Sequence, residues 1–353
     1  MRGILMKITA KHSYSHRANF GRAPLAAFTI LCALSFLFST AAAAEATDLV
    51  KIPYGKAPGQ LGASRISGEV MIRNPKAIAF DGAGAVYIAD AVNYKILKVN
   101  VGELKPGSLK ADGLKIGDLF SFAKSPAAGK TITDMAVINN GVYLLTLNGL
   151  FKFPAGGGKC VLAAKAGDKE IFKKPVFVFA DGAGNPAVTD EFYENPQIVS
   201  FDKNDKIVKT VKLKAGEEEY NTYASDGASK FYANTIAPDG FSVFAAGDPK
   251  SVILRYKKDP AEKLYIFFAH FIGFDSAKNM YCHVAYSEAE GPVKANYIYK
   301  FGRDQKLLKK AELPLPEEDE IALAKPFMIV KEDLLVSYRE AEDGFILTGI
   351  ELK

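Results

Sequence analysis

Ile78-Ala79-Phe80-Asp81-Gly82-Ala83-Gly84 runs into Val86-Tyr87-Ile88-Ala89-Asp90. One hundred residues later Val178-Phe179-Ala180-Asp181-Gly182-Ala183-Gly184 runs into Ala187-Val188-Thr189-Asp190. Each copy continues into a third apolar stretch, 95–100 and 197–202. A third copy has Ile236-Ala237-Pro238-Asp239-Gly240, then 243–248, then Val252-Ile253-Leu254-Arg255-Tyr256. In all three the first Asp precedes the last by nine residues. The segments are short, β-branched or aromatic, and bounded by Gly, Asn, Asp or Pro, which predicts three strands and two turns per copy. Asp-Gly is expected to supply the positive φ of a tight hairpin. Weaker copies lie at 135–153, 271–301 and 327–351, giving six units of roughly 50 residues with no helical period. Small sheets repeated at this spacing have a common solution, the radial β-propeller. The expected fold is all-β, a six-bladed β-propeller over residues 45–353. The chain ends on the third strand of the sixth unit, while 49–53 form an apolar strand without a unit of their own. That N-terminal strand is therefore expected to pair as the outermost strand of the last blade and close the ring.

Residues 1–44 read as a signal peptide. A basic segment reaches Arg22, an apolar stretch spans 25–38, and small residues follow before Glu45, with cleavage after Ala44 or Ala46. The run is short for an uncleaved membrane anchor and lacks a basic flank behind it. Cys32 is followed by further large apolar residues, which does not suit a lipid attachment site. The expected location is periplasmic or secreted, with no membrane span after cleavage. The formal charge of +5 comes from Arg2, Lys7, Lys11, Arg17 and Arg22, and the remainder holds 40 basic and 40 acidic residues. A neutral surface gives nucleic acid no electrostatic foothold. Cys160 and Cys282 are too few for a disulfide scaffold and, falling in different repeats, are expected as buried free thiols over a bridge.

The stretch 75–100 resembles an NHL repeat through Pro75, Ile78-Ala79, Asp81-Gly82, Tyr87-Ile88-Ala89-Asp90 and Asn93-Tyr94-Lys95-Ile96. The absence of Trp argues against WD40 and tryptophan-docked quinoprotein propellers. Such a ring places the starts of first strands and the ends of second strands around one opening, the top face. Asp90, Asp190 and Asp248, repeated at second-strand ends, are expected to cap loops by accepting backbone N–H groups. Lys76, Asp134, Asn234 and His270, placed at first-strand starts, break the repeat and are the candidate site residues. Gluconolactonase-like six-bladed propellers hold a divalent cation through an acid, an Asn and another acid at such positions. Asn234 in Asn-Thr-Ile-Ala-Pro-Asp-Gly resembles that family's blade, whereas Lys76 and His270 stand where acids belong and a Lys repels a cation. No cofactor is predicted, and a divalent cation in the central channel is left open. The fourth unit has a second register, with Asp226-Gly227 as the hairpin and Asn234 moved to a second-strand end. Tyr193 and Tyr286 are expected on long loops over the top face, where aromatics build binding surfaces. No Gly-x-Ser-x-Gly elbow, phosphate loop or dinucleotide fingerprint is present. The first functional reading is an exported, monomeric binding scaffold for a protein, peptide or glycan through its top face. The alternative is a metal-assisted lactonase-like hydrolase working at the top of the channel.

Overall fold

The computed structural model describes residues 42–62, 64–65, 71–72, 75–81, 83–101, 115–154, 159–165, 171–191, 196–213, 224–225, 231–237, 239–288, 291–315 and 325–353. Most of the expected signal segment, 1–41, lies outside them. The described residues form strands and turns, with no helix among them.

Six sheets make a six-bladed β-propeller. Blade 1 comprises Ala77–Phe80, Ala85–Asp90, Lys95–Asn100 and Lys115–Ser121 in spatial order from the axis outward. Blade 2 follows with Ile132–Ile138, Gly141–Thr146, Gly149–Phe153 and Val161–Lys165, and blade 3 with Pro175–Ala180, Pro186–Asp190, Gln197–Phe201 and Ile207–Lys212. Blade 5 is built from Tyr265–Phe274, Met280–Ser287, Val293–Phe301 and Leu307–Glu312. Blade 6 has Met328–Lys331, Leu334–Ala341 and Gly344–Glu351, with Glu45–Pro53 as its outermost strand. That last pairing is antiparallel, from Glu45 opposite Glu351 to Pro53 opposite Gly344. Ala42–Ala43, just ahead, runs parallel to Ala311 and Glu312 on the edge of blade 5.

Burial explains why the strands are so apolar. Every residue of Ala85–Asp90, Gly141–Thr146 and Pro186–Asp190 is buried, because second strands are covered on both faces by neighbouring blades. Outer strands meet water, and Ile207–Lys212 is exposed along almost all its length. Six apolar clusters fill the six junctions between successive blades. The junction between blades 6 and 1 joins Leu334, Val336 and Phe345 to Ile78, Val86 and Leu97, with Leu49, Ile52 and Leu61 of the N-terminal segment packed among them. Innermost strands of successive blades touch all the way round, the sixth meeting the first.

Blade 4 corrects the first register. Its strands are Ala224–Ser225, Phe231–Ala237, Gly240–Ala245 and Asp248–Lys257. Asn234 thus lies in the middle of the second strand, and Asp248 opens the fourth strand instead of closing the second. Asp239-Gly240 was persuasive because it does make a tight turn, with Ala237 paired to Gly240, but at the other end of the blade.

Turn chemistry also differs from the expectation. Positive φ falls at Gly84 and Gly184, the fourth residues of Asp-x-x-x turns, and not at Gly182. Asp181 accepts from the N–H groups of Ala183 and Asn185, while Gly184 donates to the Asp181 carbonyl. The same turn recurs at 202–206 and 275–279, where Asp205 and Lys278 take the positive φ. The carboxylate closes these turns, so the fourth position tolerates residues other than Gly.

Candidate functional site

The top opening is ruled by one ion pair. Asp134, on the inner strand of blade 2, is 1% exposed, and its Oδ2 lies 2.6 Å from Lys325 Nζ. Lys325 precedes the inner strand of blade 6, so its side chain reaches toward the inner strands of blades 2 and 3. The ammonium also donates to the carbonyls of Met135, at 3.4 Å, and Val178. Asp134 Oδ2 further accepts the Val178 N–H at 2.8 Å. Burial raises the Asp134 carboxyl above the usual range, partly offset by Lys325 and by the backbone N–H groups of Val178 and Met135. Lys325 carried no repeat signal in the sequence and went unread.

Asn234 is fully buried and engaged between blades. Its Nδ2 donates to the Ala269 carbonyl at 2.7 Å and its Oδ1 accepts the Phe271 N–H at 3.3 Å, stitching blade 4 to the inner strand of blade 5. Lys76 stands one residue before the inner strand of blade 1, half-buried, its backbone N–H bound to the Ala89 carbonyl. His270 is mid-strand, not at a strand start, because blade 5 extends upward by several residues more than its neighbours. The structure therefore does not bring Lys76, Asp134, Asn234 and His270 together as one set. Among the described residues, Asp134 and Asn234 are not free to hold a divalent cation. The acid that would hold it is paired with an ammonium, and both amide atoms of Asn234 are committed to backbone groups.

Tyr286 is corrected outright. It lies within the strand Met280–Ser287, is 2% exposed, and its hydroxyl is 2.8 Å from that of Tyr299 inside the core between blades 4 and 5. The reason is the length of blade 5, whose second strand carries Tyr286 where a loop was expected. Tyr193 lies outside the described residues. The repeated aspartates behave as caps. Asp90 accepts from Val92, Asn93 and Gly62, and Asp190 from Lys173 and Lys174. Cys160 and Cys282 are free thiols, Cys282 buried as expected and Cys160 only partly so.

Below the Lys325 ammonium lies a cavity of about 360 Å³ along the axis. Phe177, Phe179, Phe271, Phe274, Phe327 and Met135 are prominent in its wall, with His270 and Lys325 as its polar points. Above it the extended inner strand of blade 5 exposes Tyr265 and Phe267, 48% and 58% accessible. Phe268 follows, stacked toward His270 with ring centres 5.0 Å apart. These aromatics form a ridge on the inner strand of blade 5, where Phe267 neighbours Phe268 and Phe268 lies beside His270 of the cavity wall. Sequence reasoning missed them because Tyr-Ile-Phe-Phe-Ala-His-Phe, continuous and apolar, reads as a buried strand.

No protein-family model matches the chain, and no curated protein matches its sequence. Among solved structures the chain is similar to a gluconolactonase from Xanthomonas campestris, at 14% identity over 79% of this chain and 86% of that one, with a TM-score of 0.44. It is similar to regucalcin, a calcium-binding protein from Agrobacterium tumefaciens, at 13% identity over 79% and 90% of the two chains and a TM-score of 0.45. The PQQ-bound aldose sugar dehydrogenase of Streptomyces coelicolor shows 10% identity over 88% and 99%, with a TM-score of 0.47. Likeness at this level assigns no activity, ligand or metal to this chain.

Proposed function

We propose that this chain is an exported binding propeller whose top face takes a peptide or protein, with an apolar side chain seated over the ridge of blade 5 and the axial cavity. One observation carries the reading. Asp134 and Asn234, the acid and amide that a channel cation would need, are already bonded within the protein, while Tyr265 and Phe267 of the ridge are open to solvent. Asp134 is held by Lys325 and Val178, and Asn234 by Ala269 and Phe271. A cavity of about 360 Å³ with aromatic walls has the size and lining of a binding pocket. Tyr and Phe are enriched at the cores of protein interfaces relative to the rest of the surface. A peptide side chain suits these walls better than a glycan, whose hydroxyls would find few partners there. The lactonase-like alternative needs a cation, and the committed Asp134 and Asn234 do not support one.

The test is a selection from a displayed random peptide library on the immobilised mature protein. Enrichment of peptides with aromatic or branched apolar residues, lost with Phe267→Glu, is the expected result. Enrichment that Phe267→Glu leaves intact would overturn the placement. Hydrolysis of a lactone that disappears in a folded Asn234→Ala variant would restore the enzyme reading.

A further inference from the structure

His270 and His283 face each other directly across the first two strands of blade 5, as register partners. Directly opposed strand residues share one face of the sheet, close enough for both side chains to reach a common point. Their ring centres are 6.3 Å apart. The Nδ1 atoms of both are buried and have no hydrogen-bond partner. His283 itself is 7% exposed.

The tautomer of His283 follows from its neighbours. Asn296 Nδ2 donates to the Pro314 carbonyl at 3.1 Å, which leaves Oδ1 facing the ring. His283 Nε2 lies 2.6 Å from that oxygen and must be the donor. The proton is therefore on Nε2, and Nδ1 carries an unused lone pair. A ring whose outer N–H is anchored on a carbonyl-type oxygen, with its other nitrogen free, has the arrangement of a metal-ligating histidine. Burial disfavours the charged form of both rings. Phe268 packs against both, at 5.0 and 4.8 Å between ring centres, and Phe327 lies 4.5 Å from His283.

From these features we propose a binding site for a monovalent d-block cation, Cu(I), held between His270 Nδ1 and His283 Nδ1 at the junction of blades 5 and 6. The donor count selects the ion. Two nitrogens do not complete the four-coordinate shell that structural zinc requires. Two imidazoles walled by Phe268 and Phe327 suit a two-coordinate, singly charged copper ion better than a doubly charged one, which would need an anion. The spacing agrees. With metal–nitrogen bonds of about 2.0 Å and roughly 1.1 Å from nitrogen to ring centre, opposed imidazoles have centres about 6 Å apart, against the 6.3 Å observed. His270 shares the cavity wall with Lys325, whose ammonium is held by Asp134, and the site does not depend on the peptide-binding reading.

The test is an anaerobic titration of the mature protein with Cu(I) against a coloured chelator, with nitrogen NMR of the two histidines as a second readout. The protein is expected to withdraw one Cu(I) per chain, with both Nδ1 resonances moving. His270→Phe and His283→Phe should each lower the affinity at least about 100-fold, and Asn296→Ala about 10–100-fold, as outer partners of ligating histidines do. Cys160→Ser should change nothing. The inference is overturned if no Cu(I) is withdrawn, if His270→Phe binds as the parent does, or if Cys160→Ser abolishes uptake. Should His283→Phe fail to fold, the His270→Phe titration and the NMR shifts decide.

Discussion

Replacing Lys325 by Met removes the ammonium and keeps most of the side chain's volume, leaving Asp134 with the Val178 N–H but no counter-charge. Stranding one partner of a buried pair costs about 3–5 kcal/mol. Lys325 is 27% exposed, so the lower end applies, and about 3 kcal/mol is expected. In a domain of this size that is a fall of roughly 6 °C in melting temperature. Two further results identify the cause. Without Lys325 the Asp134 carboxyl moves further up, so the deficit is full at neutral pH. It shrinks as pH falls through that raised pKa, because protonation removes the stranded charge. Adding Asp134→Asn should recover most of the loss, since an amide keeps the bond from Val178 and can donate to the Met135 or Val178 carbonyl that Lys325 vacates. Urea unfolding of the four proteins of this cycle, at pH 7 and pH 4, is the assay. Additive single losses, or a Lys325→Met deficit that does not change with pH, would refute the pairing.

Ile52, fully buried at the junction of blades 6 and 1, should cost about 2–5 kcal/mol when cut to Ala. We propose that the N-terminal strand holds this junction shut, so deleting 45–56 should lower the melting temperature of the whole domain. A truncated protein that melts like the parent would contradict it. His283 titrates near 6.5 when unfolded and is pushed down to about 3 by burial when folded. Its contribution is present above pH 6.5 and is lost as pH falls toward 3, at up to about 1.4 kcal/mol per pH unit. His283→Phe should flatten the pH dependence of the urea midpoint between pH 7 and 4. Tyr286→Phe should cost about 0.5–1.5 kcal/mol through the lost hydroxyl pair with Tyr299, and leave peptide capture unchanged.

The blades were legible where the Asp-to-Asp repeat is strong, because a strand covered on both faces must be apolar and its ends must be capped. Blade 4 misled because Pro238-Asp239-Gly240 makes a real turn in either register. What separates the two is the short strand Ala224–Ser225, two residues with no apolar run to mark it. Outer strands such as Ile207–Lys212 are mixed and solvated, so their sequence carries little pattern. At the site, Asp134 was found because it breaks the repeat, yet its partner Lys325 is about 190 residues away and no local spacing connects them. Tyr286 was misplaced by a strand longer than the repeat. The His270–His283 facing depended on register across a hairpin with two irregularities, which only the fold supplies.

The most direct measurement is the binding constant of a peptide selected on the mature protein, compared between the parent and Phe267→Glu. The account predicts that the variant keeps the parent's melting temperature and loses the peptide by at least about tenfold, an anchor residue's contribution. Equal affinity in the two proteins would contradict the placement of the binding surface on blade 5.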